Sequence, residues 1–234
     1  MKKILTLIVL SAMLFCSCST APKKHVLVLT ERGGWHAEFT ALATQWIVEE
    51  GQRQGFDVVE IHNTDPITKD YLAGFDAIIQ LDYVTYTWTD TQKHAFIDYI
   101  DNGKGGWVGF HHASLLGDFD GYQNWEWFSD FLGDIHYENY IAELSDGTVQ
   151  VEDSTHPVMK GVSGKFVIQD DEWYIYDKSP RLDSRIKVLA TVDESTYTTD
   201  TSIKMGDHPV IWTNTSKRAR NVYFQMGHSP KLIS

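Results

Sequence analysis

Several histidines and carboxylates of this chain stand where a fold would gather them, directly after short apolar runs. Glu31 to His36 follows residues 25–30, and Asp82 with Tyr83 follows residues 77–81. His111 and His112 follow residues 106–110, and Gly227-His228 follows residues 221–225. In open α/β sheets ligands bind beyond the carboxyl ends of the strands, so four polar strand ends carry more weight together than any one alone. His36, His111 and His228 come from different strand ends, which suits general acid–base catalysis. The same three suit a zinc-type site with one open coordination position, or a hydrogen-bonded structural group. No H-E-x-x-H or similarly close-spaced metal motif is present. No cofactor is therefore expected, and a divalent metal on His36, His111 and His228 stands as the alternative.

Asp171-Glu172 precedes Trp173-Tyr-Ile-Tyr176. Carboxylates beside aromatic rings are the chemistry of a sugar site, where rings stack on apolar sugar faces and carboxylates bind hydroxyls or move protons. A surface acidic pair beside core aromatics has the same sequence. Asp207-His208-Pro209 and Asp153 with His156-Pro157 both read, on their own, as turns. The aromatic run of residues 122–131 reads as a buried helix in preference to a sugar platform. Other chemistries are absent. Ser114 lacks a G-x-S-x-G setting, and neither a dinucleotide fingerprint nor a phosphate-binding loop occurs.

The elements that must position these residues alternate. Strand-like runs at residues 25–30, 57–61, 77–81 and 106–110 are separated by helical patterns at 39–52 and 91–102. The second helical pattern places Ala95, Phe96, Tyr99 and Ile100 on one face. Strands alternating with helices of this length imply βαβ units and a parallel sheet. From about residue 145 strand-like runs follow one another without long helices, which reads as an elaborated second half of the same sheet.

The chain has 234 residues, 42% of them hydrophobic and 22% charged, enough apolar content for one large core and too ordinary a composition for disorder. Its net charge of −12 argues against a grip on nucleic acid or an anionic membrane. Lys2 and Lys3, the apolar residues 4–15 and the small Ser17 before Cys18 read as an export leader too short to span a bilayer. Residues 1–17 are expected to be a lipoprotein-type signal peptide, with Cys18 lipidated and residues 18–24 a polar linker. The protein is then expected at the bacterial cell envelope, touching the membrane through that anchor only. An ordinary secretory signal is the alternative. Both cysteines lie in the leader, so residues 25–234 hold no disulfide, no Cys-ligated zinc and no cysteine nucleophile.

Six short motifs stand in order: Gly33-Gly-Trp-His36, Gly109-Phe-His-His-Ala-Ser114, Asp153-Ser-Thr-His-Pro157, Asp171-Glu-Trp-Tyr174, Gly206-Asp-His-Pro-Val-Ile-Trp212 and Gly227-His-Ser229. In order and approximate spacing they resemble the ThuA-like (trehalose-utilisation) family, over roughly residues 25–230. The resemblance implies an α/β, flavodoxin-like fold of the class I glutamine amidotransferase-like superfamily, with a mostly parallel sheet flanked by helices. It implies that His111 occupies the position of that superfamily's cysteine nucleophile and His228 that of its partner histidine. Two imidazoles cannot do thiolate chemistry, so glutamine amidotransferase activity is excluded. The resemblance further implies catalytic roles for His111, His228 and Glu172. It implies substrate-binding roles for His36, Asp171, Trp173, Asp207 and His208, toward a small-molecule sugar such as trehalose, a related disaccharide or a keto-sugar. His112 reads as a local variation, since many relatives carry a small residue there. A non-catalytic carbohydrate-binding lipoprotein on the same scaffold is the second reading. Relatives normally continue into a helical stretch after the last motif, so the carboxyl terminus is expected to be shortened. The oligomeric state stays open.

Overall fold

The alternation of β-branched runs with amphipathic helices produces a layered α/β architecture in the computed structural model, which describes residues 22–233. The leader, including Cys18, lies outside the described residues. The strands are β1 Lys24–Thr30, β2 Phe56–Ile61, β3 Ala77–Leu81, β4 Gly106–Phe110, β5 Tyr137–Tyr140, β6 Ser145–Val151, β7 Lys165–Asp171, β8 Tyr174–Tyr176, β9 Ile186–Asp193, β10 Pro209–Asn214 and β11 Asn221–Phe224. The α-helices are α1 Ala37–Gln54, α2 Lys69–Leu72, α3 Asp90–Asp101 and α4 Glu126–Phe131. Among the described residues no helix is long and apolar enough to cross a membrane.

Nine strands form one sheet in the order β2-β1-β3-β4-β11-β10-β9-β6-β7. The first five run parallel, and from β11 onward each neighbour is antiparallel. The second half therefore extends the same sheet, as its run of strand-like segments implied. β5 and β8 pair separately as a small antiparallel ribbon. The chain leaves β1 for β2 on one side and returns to β3 on the other, so the crevice at the carboxyl ends of β1 and β3 is the topological switch point.

Local signals account for the helices that frame this crevice. α1 stops at Gly55, whose φ of 81° is a left-handed cap closed by its N–H on Gly51 O. At the start of α3 the Gln92 side chain reaches back to accept from the Thr89 N–H at 2.9 Å. Its amide also donates to Thr64 O, tying the helix to the β2–α2 loop. The face Ala95, Phe96, Tyr99, Ile100 is buried as its spacing implied. In α1 the buried stripe is Phe39, Ala43 and Ile47, while Leu42 and Trp46 are exposed. Residues four apart share a face, and those one position away are rotated off it by about 100°. Trp46 instead borders an apolar cavity of ≈ 410 Å³ lined by Phe110, Met159, Phe166, Ile211 and Leu232 among others.

The largest core cluster lies between the sheet and helices α3 and α4. Trp107 of β4 is packed there against Phe128 and Phe131, with ring centroids 5.7 and 5.1 Å away. The aromatic run of residues 122–131 supplies this core through Trp125, Phe128 and Phe131, while Tyr122 remains exposed.

Candidate functional site

Three strands of the parallel half, β1, β3 and β4, end in turns that bring polar side chains to the same spot. After β1, a turn at Gly34 (φ 64°) opens a short 3-10 segment, Gly34–His36, that buries His36 at the start of α1. After β3, Asp82 sits fully buried with φ 50°. After β4, His111 is fully buried with φ 43° and begins the 3-10 turn His111–Ser114. Non-glycine residues rarely hold such backbone angles, and they do so where the surroundings over-determine them. Here the His111 carbonyl accepts hydrogen bonds from Tyr223 Oη at 2.9 Å and Ser114 Oγ at 3.1 Å, pinning the turn.

The other two contributions come from the ends of β7 and β11. Asp171, the last residue of β7, is fully buried. Its carboxylate accepts from the backbone N–H groups of Glu172, His228 and Gly227 at 2.8, 3.1 and 3.3 Å. One carboxylate thus sets the positions of both Glu172 and His228. Gly227 is required for the close approach. A Cβ there would stand 2.9 Å from the Cβ of His111 and 3.2 Å from Oδ1 of Asp82.

The result is a group of three imidazoles and one carboxylate. His36 Nε2 lies 2.9 Å from His228 Nδ1, and His111 Nε2 lies 3.2 Å from Glu172 Oε2. Glu172 Oε2 is also 3.7 Å from His228 Nδ1. The Nδ1 of His111 faces Gln225 O at 2.9 Å. A carbonyl only accepts, so Nδ1 carries a hydrogen and Nε2 is the nitrogen left facing Glu172. The Tyr174 ring stacks on His111 with centroids 4.2 Å apart.

Electrostatics follow from this packing. Burial, reinforced by the neighbouring His112, His111 and His228, pushes the His36 imidazole down to about 2. Burial likewise lowers His111 to about 4, against the opposing pull of Glu172. Burial alone would raise the Glu172 carboxyl, but hydrogen bonds to His111 and His228 hold it well below the ordinary carboxylate range. Near neutral pH His36 is therefore uncharged, and His111 and Glu172 hold each other through one hydrogen bond. Asp171 and Asp82 lie on the other side of this balance: burial raises Asp171 to about 6 and drives Asp82 well above the usual value.

Of the residues marked in the sequence, His36, His111, Glu172 and His228 come together, and Asp171 holds two of them from behind. Trp173 does not face this group. Its indole is fully buried, donates to Ser145 O at 2.9 Å and stacks on Tyr197 in the second core cluster. Strand alternation explains the exchange, since the next residue, Tyr174, is the one turned toward His111. Asp207 sits apart at the surface, bound by Arg181 and Ser179. His208 is buried, with Nδ1 2.9 Å from Glu194 and Nε2 3.1 Å from the Gln225 amide. It therefore steadies Gln225, whose carbonyl fixes His111.

Three further residues belong to the site. His112 packs edge-on against His36 with ring centroids 4.1 Å apart and lies 3.5 Å from Glu31. Gln225 orients His111, and Asp82 closes the floor of the crevice. Position after a strand marked Asp82 and His112, Gln225 closed the last strand-like run, and their types did not reveal what each would touch. From Tyr174 a line of aromatic rings runs outward through Tyr137 (5.1 Å), Phe119 (5.8 Å) and Tyr86 (5.1 Å) to the exposed Tyr122 (5.9 Å).

Comparison with known proteins gives the family and the fold. The family described as "ThuA: Trehalose utilisation" matches residues 25–234. A crystal structure of a ThuA-like protein from Bacteroides uniformis superposes with a TM-score of 0.78 at 28% identity, covering 92% of this chain and 87% of that one. A ThuA-like protein from Parabacteroides merdae gives a TM-score of 0.62 at 17% identity, over 88% and 80% of the two chains. The glutaminase domain of Trypanosoma brucei CTPS shares the fold, with a TM-score of 0.55 at 10% identity over 91% and 88%. No curated protein matches the chain.

Proposed function

The chain belongs to the trehalose-utilisation (ThuA) family, and from that premise we propose that its strand-end histidine and carboxylate group acts on a disaccharide or keto-sugar. One observation carries the reading: the Glu172 carboxyl lies 3.2 Å from Nε2 of His111, whose other nitrogen is locked on Gln225. Such a group is equipped to take a proton from a sugar hydroxyl, or from the carbon beside a sugar ketone, and to return it. His228 and His36, joined at 2.9 Å, extend the same surface and offer a second proton carrier. The aromatic line from Tyr174 to Tyr122 supports a sugar as the occupant, because rings pack against the apolar faces of pyranoses. Asp171, Gln225 and His208 hold the reacting groups without meeting the substrate. In this reading Trp173 and Asp207 are structural. A lipid anchor on Cys18 would place the domain at the bacterial cell envelope, where it would meet sugars arriving from outside.

A screen of the purified protein with trehalose, related disaccharides and their 3-keto forms tests the reading. At least one of them is expected to bind and be consumed. Binding without consumption would reassign the domain as a carbohydrate-binding module. A folded protein that neither binds nor consumes any of them ends the sugar reading.

A further inference from the structure

We propose that His36, His111, Glu172 and His228 together bind one divalent cation of the zinc type, an inference that goes beyond the sugar reading and does not depend on it. One donor atom from each of the four lies within 4.8 Å of every other. Ligands 2.0–2.1 Å from a tetrahedral zinc stand about 3.3 Å from one another. The separations of 2.9 Å between His36 and His228, 3.2 Å between His111 and Glu172, and 3.7 Å between His228 and Glu172 bracket that value. The remaining pairs lie within 4.8 Å, so shifts of at most about 1.5 Å would close the four around an ion.

The orientation of His111 points the same way. Its Nδ1 is committed to the Gln225 carbonyl, so Nε2 is the nitrogen turned toward Glu172 and the other ligands. An imidazole whose far nitrogen donates to a backbone carbonyl is the usual supporting arrangement of a metal-bound histidine. Asp171 gives further support, because it fixes the backbones of two of the four ligands.

Charge completes the case. Among the described residues no Lys or Arg lies within ion-pair distance of Glu172, whose near partners are His111 and His228. Asp82 and Asp171 lie fully buried behind the group and Glu31 stands 3.5 Å from His112, so carboxyl groups and not cations surround the four ligands. Three imidazole nitrogens and one carboxylate oxygen favour zinc, cobalt or another late first-row ion over calcium or magnesium, which prefer all-oxygen sites.

The test is made on the purified protein without sugar. It is stripped with a chelator, dialysed against Zn2+ or Co2+, and its metal is counted by mass spectrometry, with circular dichroism recorded for every variant. Wild type is expected to take up one equivalent, and Co2+ to give the visible absorption of a four- or five-coordinate nitrogen and oxygen site. Losing a supporting residue weakens metal sites roughly 10–100-fold, so removing a ligand by His36→Ala or Glu172→Gln is expected to weaken binding by at least about 100-fold. Asn214→Ala, remote from the site, serves as the control and should bind as wild type does. Folded wild type that takes up no stoichiometric metal overturns the proposal. So does uptake that survives both ligand substitutions in folded protein. Because no sugar is present, failure here leaves the sugar reading to its own test.

Discussion

Glu172→Gln is expected to lower sugar turnover by roughly 10²–10⁴-fold, the range of a lost proton-transfer group, while the melting temperature stays at or slightly above that of wild type. The two halves of this expectation have one cause. In wild type Glu172 Oε2 and His111 Nε2 are hydrogen-bonded at 3.2 Å. A glutamine fills the same space, and its amide can donate to Nε2, so a hydrogen bond is kept. The fold loses nothing, but the negative charge that would take a proton or hold a cation is gone. His111→Ala should lose turnover to a similar degree with a different cost in stability. It leaves the buried Gln225 carbonyl without its donor, which is worth about 1–3 kcal/mol. Steady-state kinetics and thermal melts on the two variants separate these effects. Full turnover by folded Glu172→Gln would remove Glu172 from the chemistry.

The second large effect concerns the strand that delivers His111. Trp107→Ala is expected to destabilise the protein by about 3–5 kcal/mol, the usual cost of deleting a fully buried indole. Gly109→Ala should cost about 1–3 kcal/mol through overpacking. Residues 107 and 109 share a face of β4, and the indole lies across the glycine. A Cβ at Gly109 would fall 2.1 and 2.2 Å from two ring carbons of Trp107. The ring has nowhere to go, since Phe128 and Phe131 pack against it and Gln80 accepts from its Nε1 at 3.2 Å. The double variant should therefore lose less than the sum of the two, because without the indole the added methyl meets no obstacle. Urea unfolding of the three variants checks this, and strict additivity would show that the two positions do not share the space.

Much of this architecture is legible in the residues. Runs of β-branched residues and the α3 face Ala95, Phe96, Tyr99, Ile100 place the parallel half, because burial imposes a period of two on strands and 3.6 on helices. The strand-end rule then points to His36, His111 and His228 before any contact is known. Three things lay out of reach, each for a physical reason. Trp173 and Tyr174 are adjacent in sequence and opposite in direction, so their types alone do not tell which ring meets His111. Asp171 and Glu172 look like a matched acidic pair, yet three backbone N–H groups draw the first into the interior and leave the second at the histidines. His208 reaches the site only through Gln225, a contact made across strands β10 and β11 that sequence separation conceals.

The central claim is that the group formed by His36, His111, Glu172 and His228 is where a sugar is handled. A crystal structure of the protein with a 3-keto disaccharide, soaked into the Glu172→Gln variant to prevent turnover, tests it most directly. Sugar oxygen atoms are expected within hydrogen-bond reach of residue 172 and His228, with a pyranose face against the aromatic rings that lead out to Tyr122. A sugar seated elsewhere, for instance in the apolar cavity beside Trp46, with these four side chains untouched, would contradict it.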